Sequence, residues 1–86
     1  MITGAQMRAA RAALGWSADD LAGHAEVSVR TIIRFEAVDG IPPSRSSTLL
    51  AVTVALEAAG IEFIGTPEEG PGVRLWPKKK KKKVRR

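Results

Sequence analysis

Two serines eleven residues apart, Ser17 and Ser28, constrain this chain more than anything else in it. Each stands just before an amphipathic segment. A serine at an N-cap accepts a hydrogen bond from a free backbone N–H of the first helical turn. Asp20, three residues after Ser17, can reach back to the cap, and Trp16 and Leu21 flank it as a hydrophobic staple. Val27 and Ile32 repeat the staple around Ser28. The spacing predicts a helix of about two turns, a tight turn, and a new helix, which is the size of a helix-turn-helix.

The rest of the chain reads around that unit. Thr3 and Gln6 form a capping box, with Ile2 and Met7 as a third staple, and open a helix that runs to about Ala13 and stops at Gly15. The second helix covers Ala18 to about His24. The third covers Val29 to about Ala37, with Ile32 and Phe35 inward and Val29, Arg30, Ile33 and Arg34 pointing away. Gly40, Pro42 and Pro43 mark a loop. A fourth helix runs from about Thr48 to Ala59 and stops at Gly60, with Ser46 or Ser47 as candidate N-caps. Glu57 is its only charge. Such a helix is usually buried on more than one face, and a second subunit could cover what this small core leaves open. The segments IEFIG and VRLW alternate like strands and predict a β-hairpin with a loop of about seven residues, packed on the fourth helix, paired across a dimer, or both.

Charge is unevenly placed. Of fourteen basic residues, eight lie in Lys78 to Lys83, Arg85 and Arg86. Residues 1–77 carry six basic against nine acidic side chains, a net of −3. The tail cannot bury itself and is expected to be disordered, adding salt-dependent, sequence-independent affinity for phosphates. DNA binding by the body would have to use a local basic patch. The chain has no cysteine and one histidine, His24, so neither a disulfide framework nor a metal site is expected, and His24 reads as a solvated surface residue. No grouped catalytic residues and no phosphate loop point to an enzyme, and no cofactor is implied. No apolar run approaches membrane-spanning length, and the start lacks a signal-peptide layout, so the expectation is a cytoplasmic, nucleoid-associated protein without a membrane partner.

The ordered set Leu14-Gly15, Ser17, Leu21-Ala22, Val27-Ser28, Thr31-Ile32 and Glu36 resembles the helix-turn-helix domain of phage Cro and repressor proteins and of small bacterial regulators of the xenobiotic-response-element type. The likeness covers roughly two thirds of the chain. It implies a mainly α, four-helix lambda-repressor-like DNA-binding domain over residues 1–60, here followed by a β-hairpin over 61–77 as a dimerisation element and the basic tail over 78–86. The family often has Gln where this chain has Ala18, and Gly where it has Glu26, so a left-handed residue is expected there. In the family an arginine at the place of Arg11 pairs with the glutamate at the place of Glu36.

The function expected is a sequence-specific transcriptional regulator, a repressor, binding double-stranded DNA as a homodimer. Arg30 can bond O6 and N7 of a guanine, Val29 and Ile33 can meet thymine methyls, and Arg34 can reach a base or a phosphate. Ser17, Ser28, Thr31, Arg45, Ser46 and Ser47 are the candidate phosphate contacts. Two alternatives stay open. One is an antitoxin with a toxin partner as well as an operator; the other is an interaction module that has lost DNA reading.

Overall fold

The computed structural model of the protein describes residues 1–77. Four helices are followed by one antiparallel hairpin: α1 (Gly4–Leu14), α2 (Ala18–Ala25), α3 (Val29–Glu36), α4 (Ser46–Ala58), β1 (Ile61–Thr66) and β2 (Glu69–Leu75). The expected basic tail lies outside the described residues. None of the described helices is long and apolar enough to cross a membrane.

The first three helices start where cap chemistry places them. Thr3 and Gln6 form a reciprocal capping box, as do Ser17 and Asp20, and Ser28 accepts from the Thr31 N–H. Gly15 ends α1 in the left-handed region, and Glu26 ends α2 there too, at φ 59°. A non-glycine residue in that region is strained by roughly 1 kcal/mol, and Glu26 is held by N–H bonds to the carbonyls of Ala22 and Gly23.

α4 departs from expectation at its start. Ser46 and Ser47 lie inside its first turn, so neither caps it; Arg45 occupies the N-cap without a side-chain bond. At its other end the helix stops at Ala58, with Gly60 beyond the cap at φ 110°.

The hairpin loop is shorter than its Pro and Gly content suggests. Pairing continues to Thr66 opposite Glu69, leaving a turn of two residues, Pro67 and Glu68. The Thr66 hydroxyl accepts the Glu69 N–H. Gly65 makes this possible: the register shifts at this point, its φ is 76°, and a Cβ there would sit 2.3 Å from the Gly70 carbonyl oxygen. Pro71 is tolerated because both strands of a two-stranded sheet are edges.

One core joins these elements. Met7, Leu21, Ile32, Phe35, Leu49, Val52 and Leu56 are fully buried at its centre, and Ile61 carries it into the hairpin. β2 packs on α1 and β1 on α4, while α2 packs on both α3 and α4. Gln6 locks the hairpin down. Its Oε1 accepts the Thr3 N–H at 2.9 Å, and its Nε2 donates to the carbonyls of Ile64 and Gly72, one on each strand.

Candidate nucleic-acid interface

α3 is eight residues long, and at about 100° per residue its sequence sorts into two faces. Ile32 and Phe35 are buried against α1 and α2. Arg30, Ile33 and Arg34 lie on the far side and are exposed, Ile33 by 60%. Val29 does not join them. It sits at the boundary between the faces and is half-buried against the core, which corrects its expected outward placement.

Two arginines of α1 fix the far end of this helix. Arg11 grips Glu36 through both carboxylate oxygens, at 2.8 and 2.9 Å, while its third nitrogen donates to the Trp16 carbonyl. The hydrogen bond with Glu36 raises the Arg11 pKa further above its ordinary value, so the guanidinium stays charged. Arg8 donates to the carbonyls of Glu36 and Val38 and pairs with Asp39. A guanidinium on the last carbonyls of a helix satisfies orphan acceptors and complements the negative end of its dipole. The Arg11 pair was legible by resemblance; the Arg8 contact was not.

Gly4 brings the two helices this close. A Cβ on it would meet the Val38 carbonyl oxygen at 2.1 Å and that of Phe35 at 2.5 Å. Its own N–H donates to the Gly40 carbonyl.

The candidate phosphate contacts divide. Ser28 and Thr31 share a hydroxyl–hydroxyl bond of 2.9 Å, which uses one O–H and leaves the other free to donate. Arg45, Ser46 and Ser47 are all exposed at the start of α4. Ser17 is exposed as well, but it caps a turn that carries Asp19 and Asp20. The Ser17 backbone N–H, then its hydroxyl, hold the Asp20 carboxyl below its usual range, so a phosphate at Ser17 would meet negative charge.

Charge pairing singles out one segment. Arg8, Arg11 and Arg74 each have a carboxylate partner. Among the described residues, the guanidinium groups with no ion-pair or hydrogen-bond partner are those of Arg30, Arg34 and Arg45, on α3 and at the entry to α4. A body of net negative charge thus keeps its unpartnered guanidinium groups within residues 30–45.

His24 is exposed, but it is not a free surface histidine. Its ring stacks on Trp16 with centroids 4.1 Å apart and planes 1° apart, joining the start of α2 to its last turn. The i to i+8 separation hid this, because Trp16 lies before the helix.

No model of a known protein family matches the chain, and no curated protein matches it.

Proposed function

We propose that this protein is a sequence-specific DNA-binding regulator of the Cro and repressor helix-turn-helix type, acting as a dimeric repressor. On this reading α2 and α3 are the motif, α3 enters the major groove, and the fold is the lambda-repressor-like domain with an added hairpin. One observation carries it. The unpartnered guanidinium groups of an otherwise acidic body fall on the exposed side of α3 and at the next helix entry, within residues 30–45. Arg30 lies near the N-terminal end of α3, where recognition helices touch base edges, and is assigned to a guanine. Ile33 is assigned to a thymine methyl and Arg34 to a base or phosphate. Ser28, Thr31, Arg45 and Ser46 supply backbone contacts. Double-stranded DNA is the partner, and two copies would read half-sites about 34 Å apart.

Binding selection from random duplexes tests this reading. A palindromic consensus is expected, and Arg30→Ala is expected to cost about 1–3 kcal/mol and relax one base position. Recovery of no enriched sequence, with equal binding by Arg30→Ala, would reject it.

A further inference from the structure

Ser47, Leu50, Ala51, Val54 and Ala58 recur on α4 at the spacing of one helix face, and that face lies opposite the buried Leu49, Val52 and Leu56. Leu50 and Val54 are 59% and 52% exposed and form a ridge. A groove of about 510 Å³ runs along one side of it, lined by Ala25, Glu26, Ala51, Ala55 and Ala58. A second, of about 270 Å³, runs along the other, lined in part by Met1, Thr53 and Phe63. The ridge itself carries no charge; the ionisable side chains beside it are His24 and Glu26 at the first groove and Glu57 at the second.

We infer that this ridge and its alanine-lined groove are the self-association surface of the protein, and that the occupant is a second copy packed with its α4 antiparallel. The assignment gives a surface to the dimer on which the proposed function rests. Shape is the first argument. A ridge beside a groove on one helix is self-complementary about a two-fold axis, so each copy's Leu50 and Val54 enter the other's groove.

Charge is the second. α1, α2 and α3 each have a side-chain cap and a basic residue in the last turn. α4 has no side-chain cap, no acid in its first turn and no base in its last. An antiparallel partner sets the negative end of one α4 dipole beside the positive end of the other. Ser47 then faces the second copy, while Ser46, off the stripe, is left for a phosphate.

A 13-residue helix is about 20 Å long. One helix face of that length falls short of the roughly 800 Å² per partner of a durable interface. The contact must therefore take in both grooves, and the dimer without DNA is weak, dissociating at micromolar concentrations or above.

Sedimentation of the full chain, without DNA, tests the assignment. Wild type is expected to self-associate as its concentration is raised towards millimolar. Leu50→Glu/Val54→Glu is expected to stay monomeric with unchanged circular dichroism, since both side chains are exposed. Ala58→Phe, which fills the groove at an exposed position while adding apolar surface, is expected to weaken association about tenfold or more. A wild-type chain that remains monomeric, a double variant that associates as wild type does, or tighter association by Ala58→Phe would overturn it. Because no DNA is present, these results stand apart from the fate of the α3 reading.

Discussion

Gln6 uses acceptor and donors together: its oxygen caps α1, and its amino group bonds one carbonyl on each strand of the hairpin. Glutamate caps helices equally well but has no donor when ionised. Gln6→Glu would bury a carboxylate against two carbonyl oxygens, and it is expected to cost about 2–3 kcal/mol at neutral pH. The folded-state pKa of the new carboxyl would be raised, so the loss should shrink as pH falls and the group gains a proton. Denaturant melts at pH 7 and pH 4 check this, and equal losses at both would show that the donor is not what matters. Asp20 has the opposite sign. Its folded-state pKa is lowered by the Ser17 cap, so its contribution is present above the ordinary carboxylate pKa and fades as pH drops through the folded value. α2 should therefore loosen in acid, and Asp20→Asn should remove that part of the pH dependence. Gly4 tests close approach: Gly4→Ala is expected to destabilise by about 2–3 kcal/mol, read as a fall in Tm, because the atoms in its way are backbone and cannot swing aside.

At the scale of the element, α3 is short and is held in place rather than self-sustaining. An isolated helix of eight residues is marginal in water, so its geometry depends on Ile32 and Phe35 on one side and the two α1 arginines at its end. Arg11→Leu would leave Glu36, whose side chain is only 9% exposed, without its counter-ion. A cost of about 2–3 kcal/mol is expected, with DNA affinity falling further than for a surface arginine change. The two faces of α3 give a sharper check. Val29→Ala is expected to cost about 1 kcal/mol of stability. Ile33→Ala should stay within about 0.5 kcal/mol and weaken binding to DNA. The reverse order of stabilities would mean that the helix is rotated from the position described.

Across the whole molecule, the proposed function rests on where charge is left over. The described body has more acid than base, and half of its arginines are committed to carboxylates. Long-range attraction to DNA would thus come from Lys78 to Arg86, and reading from α3. Deleting residues 78–86 is expected to lower affinity for all sequences alike and to flatten the dependence on salt, with the preferred sequence unchanged. Gel-shift titrations across a salt series measure this; an unchanged slope would assign the tail no part in binding.

The sequence alone placed the starts of α1, α2 and α3, because each depends on a side chain within about four residues of the backbone group it satisfies, and the stop at Gly15, because glycine enters the left-handed region freely; the left-handed Glu26 followed from the family resemblance. It misplaced the start of α4 and the length of the hairpin turn. There, Ser, Gly and Pro read as breakers, whereas α4 simply starts without a side-chain cap and the bulge of Gly70 and Pro71 opposite Gly65 prolongs strand pairing. Only the tertiary structure decided which arginines are committed and which are available. Arg8 meets Asp39 across 31 positions and Gln6 meets Gly72 across 66, and no local periodicity carries such contacts. It also decided that Val29 turns partly inward and that His24 stacks on Trp16, since a half-exposed position takes its neighbours from the packing of other elements.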